Sequence, residues 1–341
     1  MTRILNITIL SVFLLAALIQ TAQSEAPAFE IHFIDVGHGD AAVVVCEGEY
    51  MLIDGGDENC GKTVCDYLNK MNISRLDYLV YTHPHKDNVG GLTEVVERFP
   101  IGDVFGSVTA YDTIIFSSFM RALSQSGEEI IIPEAGYEFD IGSARATVLG
   151  PVKQSSDMNN MSLVMRVVYD ETSFLLCADA MSGEENDILQ TAGELSSDVI
   201  KISCQGSDEA TSELFLAQVM PRYAVISTAT RGDNVYGHPN DAMLTRLNQA
   251  GIEVYRTDLN GTVICSSDGK EITITAQKDE IQAHNGADTE EMYIINTNSD
   301  KFHRPDCRNV ASIAEENRLE ITASPRELIR EGYSPCGNCA M

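Results

Sequence analysis

The sequence predicts an α/β protein in two parts, and three observations lead there. From Phe29 onward, short apolar runs alternate with stretches of helical period. Polar, glycine-rich loops closely follow several of the apolar runs, the usual place for chemistry on such a body. A polar, aperiodic stretch, residues 277–289, then separates a body of residues 28–276 from a short module, residues 290–341. A length of 341 residues suits about two domains, and 44% hydrophobic residues is a globular composition.

Residues 1–24 read as a secretory signal peptide. Arg3 precedes an apolar stretch from Ile4 to Ile19, and Ala22-Gln23-Ser24 is a small-x-small cleavage pattern. Cleavage makes the protein secreted and extracellular. Left uncleaved, the segment would anchor the chain and be its one route to a membrane. Strands are expected at Glu30–Asp35, Ala41–Cys46, Tyr50–Ile53, Tyr78–Tyr81, Ala146–Leu149, Ser162–Tyr169, Ser173–Ala178, Val199–Ile202, Tyr223–Thr228 and Glu253–Arg256. Helical stripes run through Val64, Leu68 and Met71, through Leu92, Val95 and Phe99, and through Phe116, Phe119 and Leu123. His32 opens a strand and reads as structural, and His284, in the polar stretch, as inert.

Charge narrows the function. Lys and Arg number 23 against 51 Asp and Glu, a formal charge of −28. Such a surface repels phosphate backbones, which argues against strong DNA binding by the body. Of nine cysteines, Cys46, Cys177 and Cys265 lie in apolar runs and read as buried thiols. Cys60 and Cys65 are close enough in sequence to bridge.

The chemistry concentrates in FIDVGHGDAAVV (residues 33–44), LIDGG (52–56) and YTHPHKDNVGGL (81–92). His83 and His85 flank one proline and Asp87 follows, so three ligand types for zinc or a similar divalent ion fall on one loop. With MSLVMRVVYDETSFLLCADA, DVIKISCQGS, YGHP and VYRTDLNGTV in that order, residues 30–274 resemble the metallo-β-lactamase fold, in the branch of ComEC-like DNA-uptake competence proteins. The resemblance implies an αββα sandwich with its site at one edge. It implies that His83 and His85 bind one metal, Asp87 a second, that Asp179 bridges the two, and that His238 is the last histidine. Asp54 and His38, with Asp35 and Asp40, would line or brace the site, and Asp87, Asp54 and His38 would form the catalytic group. The function implied is an exported metal-dependent hydrolase acting on a small phosphoester or nucleic-acid-derived substrate, with one or two Zn2+ or Mn2+ ions.

The sequence departs from that pattern at both metal positions. The family's H-x-H-x-D-H ends here in Asn88, and its G-H-H-G-S stands as Ser203-Cys204-Gln205-Gly206-Ser207. Two readings follow: a remodelled site with one metal on His83, His85 and Cys204, or a binding module that keeps the fold and not the dinuclear site.

In the C-terminal module His303 and Cys307 form H-x-x-x-C and Cys336 and Cys339 form C-x-x-C. Two close pairs of such ligands suit a closed tetrahedral zinc site, and so small a module needs a staple of that kind. A disulfide from Cys336 to Cys339 or Cys307 is the alternative. Ser324-Pro325-Arg326-Glu327 and the stop at Gly332 predict a helix over 325–331. This segment is similar to the small zinc-binding domain of Ada-like DNA-repair proteins.

Overall fold

The computed structural model describes residues 28–230, 236–278, 291–299, 301–305, 307–323, 328 and 333–336. The expected signal peptide, most of the expected linker with His284, Cys339 and the expected 325–331 helix apart from Leu328 lie outside the described residues. The chain divides into two compact units between Gln277 and Lys278.

The large unit is built on two sheets. The first holds β1 (Phe29–Phe33), β2 (Ala42–Cys46), β3 (Glu49–Ile53), β4 (Leu76–Tyr81), β5 (Ile101–Gly106) and β6 (Ile130–Ile131), joined on the other side of β1 by β14 (Val263–Ser267) and β15 (Ile272–Ala276), in the order β15-β14-β1-β2-β3-β4-β5-β6. The second contains β7 (Glu138–Ile141), β8 (Ala144–Gly150), β9 (Val164–Tyr169), β10 (Thr172–Leu176), β11 (Val199–Lys201), β12 (Tyr223–Ile226) and β13 (Glu253–Arg256), in the reverse order β13 to β7. Strands β3 to β6 pair in parallel, as do β10 to β13. Both parallel runs therefore end in loops at their C-terminal edges, where α/β sheets place ligands.

Alternation along the strands explains the layers. Phe29, Ile31 and Phe33 on β1, with Val44, Met51 and Val80, pack against Val148, Val167, Phe174 and Val225 of the second sheet. The intervening residues face outward onto helices. Val43, Leu52 and Leu79 pack under α1 (Gly61–Lys70), α3 (Leu92–Arg98) and α4 (Ile114–Ser126), which follow the four-residue α2 (Lys86–Val89). Leu175, Ile200 and Ala224 pack under α5 (Ser182–Thr191), α6 (Glu213–Val219) and α7 (Asp241–Gln249). The expected αββα sandwich is what the chain forms. Thr113 accepts from Phe116 N to start α4 and left-handed Gly127 ends it; Ser212 caps α6 in the same way.

Strands β5, β6, β7, β14 and β15 are additions to the sequence expectation: Gly102 interrupts β5 and β6 has only two residues, while EFDI of β7 and ITITA of β15 do alternate and were passed over. The Cys60–Cys65 bridge does not form, and both thiols are free. Cys65 packs inward from α1, while Cys60 Sγ donates to Val36 O at 3.2 Å. No helix among the described residues is long and apolar enough to cross a membrane. The small unit is a four-stranded sheet, β18 (Arg318–Ala323), β16 (Glu291–Asn296), β17 (Lys301–His303) and β19 (Ser334–Pro335), around Tyr293, Ile295, Phe302 and Leu328.

Two buried carboxylates on α5 tie loops to the sandwich. Glu185 accepts from Thr211 N and, at 2.9 Å, from Ser212 N; Glu184 accepts from Val152 N at 2.7 Å. Burial pushes Glu184 up to about 7, against the pull of the Val152 N–H. Its folded pKa lies above its unfolded value, so its contribution to stability is complete below about pH 4.5 and is lost as pH rises through 7. Glu184→Gln keeps the accepting oxygen and removes that loss. Thermal unfolding of the variant minus that of the parent should therefore rise between pH 4.5 and 7 and stay level above it; a difference independent of pH would contradict the assignment.

Candidate metal-site cleft

Four of the nine non-glycine residues with positive φ among the described residues, Asp54, Ala178, Cys204 and Gln205, stand just beyond β3, β10 and β11. A left-handed backbone is costly for such residues, and its clustering at one edge marks a site that the surrounding structure holds in place. The loop between β1 and β2 closes on the same edge. Gly39 has φ +111°, and a Cβ there would lie 2.0 Å from Asp87 O, so only glycine lets Asp40 N donate to that oxygen at 3.1 Å.

His83, directly beyond the end of β4, is completely buried. Asp54 accepts from Thr82 N at 2.8 Å and from the Thr82 hydroxyl at 2.7 Å. With its proton given to Asp54, Thr82 Oγ1 accepts from His83 Nδ1 at 3.1 Å. That order places the proton of neutral His83 on Nδ1 and leaves a lone pair on Nε2. Nε2 lies 3.1 Å from His85 Nδ1 and 3.6 Å from Asp179 Oδ2. Burial holds His83 well below the usual histidine range, and nearby His85 and Lys201 lower it further. Asp54 is pushed up to about 7 by burial, against the donors Asn88 and Thr82. Asp179 rises well above the carboxylate range, first through burial and then through Asp40.

The remaining expected residues gather around Asp87. Gln205 Nε2 donates to Asp87 Oδ2 at 2.9 Å, and His38 Nε2 lies 3.4 Å from the same oxygen. The His38 ring stacks on Tyr236 at 5.5 Å, and Tyr236 stacks on His238 at 5.9 Å. Asn88 Nδ2 donates to Asp54 Oδ2 at 2.9 Å. In both contacts the amide nitrogen donates, which leaves Asn88 Oδ1 and Gln205 Oε1 buried without hydrogen-bond partners. Cys204 bonds through its main-chain N to Ala178 O at 3.0 Å, and burial pushes its thiol up. Asp35 Oδ1 accepts from Gly37 N at 3.3 Å and shapes its loop. His32 bonds Tyr67 and Glu30 and is structural.

Sequence reasoning passed over Lys201. Only 4% exposed, its ammonium donates to Asp40 Oδ2 and, at 3.1 Å, to Ala178 O. Burial opposes its charge, but Asp40, Asp179 and Asp54 outweigh that and hold it above the usual lysine range. The available signal was a lysine inside the apolar run VIKIS, where a charge is buried only if paired.

Residues 34–190 match the family model described as the metallo-beta-lactamase superfamily. That match and the two-sheet sandwich together show a metallo-beta-lactamase fold in the large unit. Its similar relatives include competence protein ComA of Neisseria gonorrhoeae, 28% identical over 257 residues that make up 74% of this chain and 35% of that one. ComE operon protein 3 of Bacillus subtilis is 27% identical over 258 residues, 69% of this chain and 32% of its own. This chain thus spans about a third of the length of the curated relatives it matches. Among solved structures Igni18, a metallo hydrolase from Ignicoccus hospitalis, matches with 17% identity and a TM-score of 0.48 over 69% of this chain and 98% of its own, a likeness too loose to bear on function.

Superfamily sites hold divalent metals, and the residues of this cleft do not fit a dinuclear one. Asn88 and Gln205 stand where the resemblance places imidazole ligands: each turns its amide N–H to a carboxylate, Asp54 or Asp87, and offers only an amide oxygen, Asn88 Oδ1 or Gln205 Oε1, buried without a hydrogen-bond partner, in place of the imidazole nitrogen that zinc favours. Among the described residues the one group of three or more His, Cys, Asp or Glu whose ligand atoms all lie within 4.8 Å is His303, Cys307 and Cys336, in the small unit. His83, His85, Asp87, Asp179, Cys204 and His238 share the cleft without closing to that degree.

In the small unit Cys307 Sγ lies 3.6 Å from His303 Nδ1, with His303 and Cys336 buried. A tetrahedral zinc with legs of about 2.0 and 2.3 Å separates its nitrogen and sulfur ligands by about 3.5 Å, so this donor set fits that ion. Cys307 is a free thiol and is not bridged to Cys336.

Removing the ammonium partner of Asp40 leaves a buried carboxylate unpaired. Lys201→Met should cost about 3–5 kcal/mol in denaturant unfolding, and adding Asp40→Leu should recover most of that loss. Equal stability of Lys201→Met and the parent would contradict the buried pairing.

Proposed function

We propose that this protein is an exported, ComEC-like superfamily member whose large unit keeps the fold as a binding module without a dinuclear hydrolytic centre. The observation that carries the reading is the pair of amide donations, Asn88 to Asp54 and Gln205 to Asp87, at positions where the resemblance places histidines. The small unit is stapled by one structural Zn2+ on His303, Cys307 and Cys336, with Cys339 as the fourth ligand. Export rests on the apolar segment ahead of Ala22-Gln23-Ser24.

Charge supports the same reading. Burial raises Asp40, Asp54 and Asp179 and so lowers the negative charge that the cleft itself carries, while the chain as a whole has a net charge of −28. A chain so acidic repels phosphate backbones, so strong DNA binding by this unit is not expected.

A metal-dependent hydrolase of small phosphoesters or nucleic-acid-derived substrates is the second reading. One observation favours it: the His83 Nε2 lone pair faces Asp179, whose Oδ1 is buried with no hydrogen-bond partner. His83, His85 and Asp179 would then hold a single Zn2+ or Mn2+, which would supply a Lewis acid to the cleft.

Hydrolysis of bis-p-nitrophenyl phosphate with added Mn2+ or Zn2+ separates the two. The binding-module reading predicts no metal-dependent turnover by the parent and its appearance in Asn88→His/Cys204→His/Gln205→His. Parent turnover that disappears in His83→Ala would overturn that reading in favour of the hydrolase.

A further inference from the structure

In the small unit, the turn that carries Cys307 also carries Asn309. Val310 N donates to Cys307 O at 2.9 Å, and Asn309 O accepts from Ser312 N at 3.1 Å and from Ser312 Oγ at 2.7 Å. These bonds pin the backbone of residues 307–312, with Asn309 capping the short 3-10 turn Val310–Ser312. From there Asn309 Nδ2 reaches Cys336 Sγ at 3.3 Å, across 27 residues of sequence. Cys336 is held at its main chain as well, by donation from its N to Phe302 O at 3.0 Å. One ligand-bearing turn therefore reaches over and grips the sulfur of another.

The chemistry of that grip is specific. A metal takes cysteine as the thiolate, whose charged sulfur accepts an N–H more strongly than a thiol's does, so the amide at 3.3 Å is placed to support Cys336 as a ligand. An amide nitrogen offers no lone pair to a cation, so Asn309 does not compete as a ligand. Its half-buried position on a turn, rather than in the apolar cluster of the sheet, leaves little packing for it to contribute.

We propose that Asn309 is a positioning residue for the zinc site: its bond to the sulfur aims Cys336 at the position it shares with His303 and Cys307, and slows the loss of the ion. The inference rests on the structural zinc reading above. Partners of this kind that orient and tune a ligand are worth about 10–100-fold in metal affinity.

The test uses the full chain loaded with zinc, and separately with cobalt, as parent, Asn309→Ala, Asn309→Leu and Cys336→Ser. Transfer of zinc to a chelator should be about 10–100-fold faster in both Asn309 variants than in the parent. The thiolate-to-cobalt charge-transfer band should move to lower energy in both, because the sulfur lone pair is no longer stabilised by a hydrogen bond; a purely structural side chain would not move that band. Zinc retention and a cobalt band equal to the parent's in Asn309→Leu would overturn the inference while leaving the zinc reading intact. A parent whose metal content is unchanged by Cys336→Ser would overturn both.

Discussion

The buried contact between Lys201 and Asp40 is the constraint on which the cleft depends. Lys201 ends β11 of the second sheet, and Asp40 stands on the loop that leaves β1 of the first, so their bond ties the two sheets together at the edge that carries the chemistry. An internal cavity of about 20 Å3 lies beside it, lined by Asp40, Asp54, Thr82, Lys201 and Ser227 among apolar neighbours. That is room for about one water with polar partners at hand. With the pair in place, Asp40 N meets Asp87 O, the His83 loop is set against the β1–β2 loop, and the left-handed turn at Cys204–Gln205 is delivered to Asp87.

The ligand positions follow from that frame, but the frame does not decide what fills them. Asp54, Thr82 and His83 form a relay that fixes the His83 tautomer and aims Nε2 into the cleft, the orientation that a metal ligand requires. Asn88 and Gln205 act in the opposite sense: each uses an N–H donor to satisfy a carboxylate that would otherwise be available to a cation. The metallo-beta-lactamase fold is kept, and at this edge two carboxylates, Asp54 and Asp87, are paired with amide N–H groups and a third, Asp40, with a lysine.

The sandwich was legible in the sequence because its core strands alternate cleanly: Phe29, Ile31 and Phe33 face one way and Val43, Leu52 and Leu79 the other. The edge strands β7 and β15 were passed over although EFDI and ITITA alternate strictly in residue type and in burial. The cleft was legible as far as motif order reaches, through His38, Asp54, His83, His85, Asp87 and Asp179. What the order could not supply is contact: Lys201 meets Asp40 across 161 residues and Gln205 meets Asp87 across 118, pairings that only the fold creates. Asn309 escaped notice for the same reason, since its partner sulfur lies on a different turn.

The central claim is that the metal of this chain belongs to the small unit and that the superfamily cleft does without its two ions. Metal content per chain of the purified protein measures this directly, beside Cys336→Ser and His83→Ala/His85→Ala. One zinc per chain is expected, lost in Cys336→Ser and retained in the double histidine variant. Two or more ions per chain, with at least one lost in the histidine variant, would contradict it and return the cleft to the metal-dependent hydrolases.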